Sequence, residues 1–251
     1  MSSLFDLTGK SAIVTGASTG LGMGMTLGLA SAGADVLLVD HVESEGVAQR
    51  VRAMGRRAVA LTVDLMQMDS ISKVVASAIA EFGKVDILVN NAGIIRRTPA
   101  IDFSEKDWDE VMLLNSKTVF FLAQAVAKDM LKRKYGKIIN VSSLLAFQGG
   151  ILVPSYAASK GAVAQVTKAL ANEWAQHGIT VNAIAPGYMA TNNTQALRAD
   201  PVRSQAILQR IPASRWGLPE DLQGAAVFLA SAASDYVNGH VLVVDGGWMA
   251  R

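Results

Sequence analysis

No cysteine occurs anywhere in the 251 residues. That excludes disulfides, thiolate metal sites and cysteine nucleophiles together. Histidine is almost as scarce: His41, His177 and His240 stand far apart, and none opens a His-Glu-x-x-His run, so no metal is expected. An excess of one charge is lacking too. Lysine and arginine total 23 against 21 acidic residues, for a net charge of +2, and the basic residues are scattered. Nucleic acid is therefore not an expected partner. Met1–Gly9 has no basic stretch followed by an apolar one, so no secretory leader is read there. The longest uncharged run, Ile138 to Ser159, is broken by Gly149, Gly150 and Pro154 and is rich in serine. It reads as strand, loop and helix start rather than as a membrane span. The cytoplasm is the expected location.

What is present is a chain 51% hydrophobic and 18% charged, long enough to bury a substantial core. Short apolar runs at Ser11–Thr15, Asp35–Asp40, Ala58–Val63, Ile87–Asn90, Lys137–Ser142, Ile179–Ile184 and His240–Val244 read as strands. Between them, Leu21–Ala32, Glu43–Met54, Ser70–Phe82, Glu105–Arg133, Ser155–Gln176 and Pro219–Ser231 read as helices. This alternation predicts one α/β domain over residues 1–251: a doubly wound, Rossmann-type parallel sheet of seven strands with helices on both faces. Residues 187–218 interrupt the rhythm after the sixth strand, as a lid over an active site would.

The first strand runs into Thr15-Gly16-Ala17-Ser18-Thr19-Gly20-Leu21-Gly22. Gly16 suits a tight turn, Gly20 a close approach of backbone to phosphate, and Gly22 close packing of helix on strand. The helix amino terminus then offers free N–H groups and a positive dipole end to a pyrophosphate. The spacing is G-x-x-x-G-x-G, and the context of strand, turn, helix and second strand points to a dinucleotide. Asp40, ending the second strand, can accept bonds from the adenosine ribose and would repel a 2′-phosphate, which favours NAD. Asp64 and the Leu65 N–H end the third strand at the same rim, where they could meet the adenine. Asn90-Asn91-Ala92-Gly93 ends the fourth, where amides and open backbone could flank the ribose. Each is also compatible with an Asx turn. Asn115 falls within a predicted helix, as an internal cap or a functional amide.

Tyr156 and Lys160 lie four apart, on one helix face. An ammonium near a phenol favours its ionised form, and Ser143 brings a hydroxyl to the same oxygen. Alone, the pair is equally an ordinary one on a helix surface.

Taken together, Thr15–Gly22, Asp64, Asn90–Gly93, Asn115, Ser143, Tyr156, Lys160, Pro186-Gly187 and Thr191 resemble the short-chain dehydrogenase/reductase family over essentially the whole chain. The resemblance implies that Tyr156 is the general acid/base. Lys160 would lower its pKa and hold the nicotinamide ribose, Ser143 would bind the reacting oxygen, and Asn115 would keep a water in the proton relay. Ser143 is chosen over Ser142 because it stands thirteen residues before the tyrosine. The segment Pro186, Gly187, Met189 and Thr191 would hold the nicotinamide carboxamide, and the assembly would be a homotetramer joined through the 105–133 and 155–176 helices. Within the family, Ile94–Arg97, Phe147–Gly150, Ala185–Asp200, Arg210–Gly217 and Asp245–Arg251 resemble members acting on deoxy sugar acids. Such a substrate carries a carboxylate, so Arg96 or Arg97 is the expected partner, with Gln148 on a sugar hydroxyl. Acyl-carrier-protein reductases, polyol dehydrogenases and a dinucleotide sensor without catalysis are the alternatives.

Overall fold

Apolar runs bounded by glycine, asparagine or aspartate become strands wherever both faces of the run can be buried. In a computed structural model, which describes residues 4–251, seven such runs form one sheet among the described residues. Residues 1–3, part of the stretch read as leaderless and of the expected 1–251 domain, lie outside it. The strands are β1 (Ser11–Thr15), β2 (Asp35–Asp40), β3 (Ala58–Thr62), β4 (Ile87–Asn90), β5 (Gly136–Val141), β6 (Ile179–Pro186) and β7 (Val241–Val244). Their order is β3-β2-β1-β4-β5-β6-β7, with every pairing parallel. Parallel neighbours need crossovers, and the helices supply them: α1 (Gly20–Ser31), α2 (Glu45–Ala53), α3 (Ser70–Phe82), α4 (Glu105–Met112), α5 (Thr118–Arg133) and α6 (Pro154–Trp174). After β6 come α7 (Gln195–Ala199), α8 (Pro201–Arg210) and α9 (Gln223–Ala230).

Strand alternation sends Ala12 and Val14 to one core and Ile13 to the other. The first core packs β1, β2 and β4 against Met25 and Leu29 of α1 and Leu229 of α9. The second packs the opposite face against Val74 of α3, Leu122, Val126 and Met130 of α5 and Leu170 of α6. Each fully buried aliphatic side chain contributes roughly 1.5–3 kcal/mol, so two filled faces hold the sheet rigid. A third, smaller cluster joins Ile207 and Ile211 of the 187–218 segment to Leu144 and Trp248.

Two boundaries differ from the sequence reading in ways that matter. The single helix expected over Glu105–Arg133 is two helices, α4 and α5, joined by a π-helical turn at Leu113–Lys117, where the Thr118 N–H donates to the Leu113 carbonyl. Asn115 sits in that turn, because its amide finds partners outside the helix. The 187–218 segment carries two helices, with Asp200 capping α8 by accepting from the Val202 and Arg203 N–H groups. No helix among the described residues is long and apolar enough to cross a membrane.

Candidate active site

Strand order reverses between β1 and β4, and a cleft of about 690 Å³ opens outside the carboxyl ends of the strands at that point. Gly16 turns the chain with φ of +64°, a left-handed value that a side chain rarely tolerates. Gly22 is demanded by packing: a Cβ there would fall 1.9 Å from the Gly16 carbonyl oxygen. Thr19 precedes α1 without a side-chain cap, and the first turn has no acidic residue. The N–H groups of that turn therefore face a cleft lined by Gly16, Ser18, Thr19, Gly20 and Leu21. A dinucleotide pyrophosphate fits this cradle, since it needs donors, a positive dipole end and no intruding Cβ.

Asp40 ends β2 at the rim of the cleft. Asp40 is buried, and its Oδ2 accepts from the Ser18 N–H (3.0 Å) and hydroxyl (2.6 Å). Its Oδ1 accepts from the His41 N–H (2.7 Å) and lies 2.9 Å from the exposed His41 Nδ1. Burial raises its pKa, yet the Ser18, His41 and Val42 donors outweigh that and hold it below the usual value. A carboxylate has about four acceptor sites, and the chain itself takes most of them. Asp40 thus brings negative charge to the cleft more than free acceptors for a ribose. Asp64 closes an Asx turn by accepting from the Met66 N–H (2.8 Å) and still lines the cleft beside Leu65.

The amides after β4 are also occupied. Asn91 Nδ2 donates to the carbonyls of Thr15 (2.9 Å) and Gly16 (3.0 Å), bracing the glycine turn. Asn90 points into the core and donates to Asn140 Oδ1 (2.9 Å), so only Asn91, Ala92 and Gly93 reach the cleft. Asn115 is fully buried, and its Oδ1 accepts from the Ile94 N–H (2.8 Å). Its Nδ2 donates to the Ile94 carbonyl (2.9 Å) and to Ser159 Oγ (3.2 Å). The amide clamps the loop after β4, so a relay water here would rely on the displaced backbone of the π-turn.

Pro154 in the first turn of α6 fixes the helix start, and Tyr156 and Lys160 follow on the face towards the cleft. Ser142 spends its hydroxyl on the Lys160 carbonyl (3.0 Å). Ser143 accepts from the Leu145 N–H (3.2 Å). Burial pushes the Tyr156 phenol up, while the Ser143 hydroxyl beside it and the positive charge of Arg97 pull it back. Lys160 Nζ donates to the Val141 carbonyl (2.7 Å) and stands 5.5 Å from the tyrosine ring centroid, and its own burial lowers it to about 8. An ammonium with two donors still free can bind ribose hydroxyls from there.

The two arginines separate. Arg96 lies 2.7 Å from Glu110 Oε2 and 3.4 Å from Asp107 Oδ1, so its charge is already paired. Arg97 is exposed and donates to the Asn193 carbonyl (3.0 Å), which ties the loop after β4 to the 187–218 segment. From that segment Thr191, Asn192 and Asn193 line the cleft, whereas Gly187 and Met189, and Pro186 before them, are not among its lining residues. Met189 is buried against Gly217. Sequence reasoning missed His41, Val42 and Met66 on the lining, and also Asn192 and Asn193. The first three follow strand ends and were accessible to the rule that ligands sit beyond the carboxyl edge.

A family model described as short chain dehydrogenase matches residues 10–202. A protein of Dickeya dadantii named 2-dehydro-3-deoxy-D-gluconate 5-dehydrogenase is 63% identical, with 98% of each chain covered. Its namesake in Bacillus subtilis is 54% identical, covering 98% of this chain and 97% of its own. Among solved structures, a gluconate 5-dehydrogenase from Burkholderia cenocepacia in complex with NADP and tartrate superposes with a TM-score of 0.94 at 42% identity, covering 98% of both chains. Another, from Agrobacterium tumefaciens with bound NADP and named for 2-deoxy-D-gluconate 3-dehydrogenase, has a TM-score of 0.90 at 54% identity, over 98% of this chain and 99% of its own.

Proposed function

This chain belongs to the short-chain dehydrogenase family, and from that premise we propose that it moves a hydride between NAD(H) and a secondary alcohol or ketone of a deoxy sugar acid, 2-dehydro-3-deoxy-D-gluconate or 2-deoxy-D-gluconate. The observation that carries this reading is that Tyr156 and the buried Lys160 line the same cleft as the glycine cradle, with the Ser143 hydroxyl beside the phenol. When bound, nicotinamide supplies or receives the hydride. Tyr156 takes the hydroxyl proton during oxidation and returns it during reduction. The Ser143 hydroxyl donates to the reacting oxygen, where negative charge develops. Lys160 holds the ribose and, once charged, stabilises the phenolate. Asn115 keeps the π-turn open for a relay water, and Arg97 meets the substrate carboxylate. The 187–218 segment closes over both ligands as a lid.

Support for NAD over NADP is the buried, ionised Asp40 together with the absence of lysine or arginine at Thr19, His41 and Val42. Solved relatives hold NADP, so both cofactors belong in the test. Oxidation of the two sugar acids, followed at the reduced-nicotinamide absorbance, is expected to show higher kcat/KM with NAD. Tyr156→Phe is expected to lower turnover by about 10²–10⁴-fold while dinucleotide binding persists. Equal kcat/KM with both cofactors removes the role given to Asp40, and no turnover of either acid returns the substrate to the family level. The half-exposed Trp108 and Phe121 on α4 and α5 suit the homotetramer contact, and free nicotinamide dinucleotide makes the cytoplasm the fitting compartment.

A further inference from the structure

Trp248, four residues from the carboxyl terminus, is buried at 5% exposure. Its surroundings fix the plane of the indole. Tyr188, just beyond β6, packs against it at 4.6 Å between centroids with the rings tilted by 53°, and the Arg210 guanidinium at the end of α8 lies 4.0 Å from the ring centroid. Asp245 orders the turn beneath by accepting from the Gly247 and Met249 N–H groups, each at 2.8 Å. Arg251 donates to the Gln209 carbonyl (2.6 Å), which ties the terminus to α8. The indole Nε1–H donates to Gln148 Oε1 at 3.4 Å, a hundred residues earlier in the chain. Gln148 stands on the turn that follows Ser143, with its own N–H donating to the Leu144 carbonyl.

An indole N–H is a donor only, whereas a glutamine amide has one acceptor end and one donor end. An indole held in place therefore decides which way the amide faces. We propose that Trp248 is a positioning residue for the reaction: it holds Gln148 Oε1 on the inside and so leaves the Nε2 hydrogens for the substrate. The oxygen read by Gln148 is then an acceptor, a carboxylate, a keto oxygen or a lone pair of a hydroxyl, and not a donating hydroxyl. This deepens the sugar-acid reading and rests on it for the identity of the ligand. Tyr188 and Arg210 make the same indole a link between the substrate turn and the segment over the cleft.

A double-mutant cycle on the full-length enzyme tests this. Trp248→Phe keeps an aromatic ring against Tyr188 and removes the donor. It is expected to raise KM for the sugar acid roughly threefold to tenfold, the worth of one hydrogen bond, with kcat and dinucleotide Kd unchanged. In a Gln148→Ala background the same change is expected to add nothing. Gln148→Glu, which offers only acceptors, is expected to raise KM more than Gln148→Ala does. A second readout needs no turnover: the indole N–H resonance lost in Trp248→Phe is expected to move in Gln148→Ala. Unchanged KM in Trp248→Phe, additivity in the cycle, or an indole resonance indifferent to Gln148 would each overturn the proposal. A moving resonance in an enzyme that turns over neither sugar acid would instead overturn the substrate reading while supporting the Trp248–Gln148 coupling.

Discussion

Arg96 and Arg97 are neighbours of identical chemistry, and only their partners tell them apart. Arg96 is neutralised by Glu110 and Asp107, while Arg97 donates to the Asn193 carbonyl alone and its charge reaches Tyr156. Bidentate pairing with a carboxylate needs a guanidinium with donors to spare, which Arg97 has. Arg97→Leu is therefore expected to raise KM for the sugar acid about tenfold or more, the loss of a charge-assisted hydrogen bond. It has a second consequence for the phenol. A nearby cation favours phenolate, so its loss lets burial push Tyr156 higher still. The alkaline rise of kcat/KM in the oxidative direction is expected to move to higher pH in Arg97→Leu and to stay in place in Arg96→Leu. Coincident pH profiles for both variants and wild type would remove Arg97 from the site.

At the scale of elements, the glycine turn works because the helix that follows it and a loop distant in sequence both pack against it. Asn91 after β4 braces the Thr15 and Gly16 carbonyls, and the start of α1 packs under Gly16. A methyl at Gly22 would lie 1.9 Å from the Gly16 oxygen and 2.5 Å from Asn91 Nδ2, so the turn must shift. Gly22→Ala is expected to cost about 1–3 kcal/mol in denaturant unfolding, as overpacking does. Dinucleotide Kd is expected to rise more than tenfold with it, because the cradle is distorted. Gly161 in α6 is the counterpart, since a Cβ there meets nothing within 4 Å. Gly161→Ala is expected to stabilise by about 0.5–1 kcal/mol through helix propensity. Reversed signs would show that close packing at the turn is not what demands glycine.

For the whole molecule, the buried lysine sets a pH term in folding. Burial lowers Lys160 from 10.5 to about 8, so below pH 8 both folded and unfolded chains carry the proton and the folded state bears the cost. Between pH 8 and 10.5 the unfolded chain binds more protons, and stability rises with pH across that window. The shift corresponds to as much as about 3 kcal/mol. Lys160→Met removes the charge at similar volume. It is expected to be the more stable protein at pH 7, with the gap closing by pH 10.5 as wild type recovers the cost. Urea unfolding of both proteins at a series of pH values measures this, and a gap independent of pH would contradict it.

Local spacing determined much of this. The G-x-x-x-G-x-G turn, the four-residue step from Tyr156 to Lys160 and the strand–helix alternation are properties of short stretches, where sterics and periodicity act on their own. Ser143 over Ser142 came from a family interval, and the structure adds that the Ser142 hydroxyl is spent on Lys160. Other features needed the folded chain. Asn115 breaks its helix because Ile94 and Ser159 supply better partners, and Asp40 offers charge because Ser18 and His41 take its oxygens. The choice between Arg96 and Arg97, and the indole that turns Gln148, depend on residues fourteen to a hundred positions away. Residue type and spacing set which chemistry is available, but a polar group's free donors and acceptors are what remains after its neighbours in space are served.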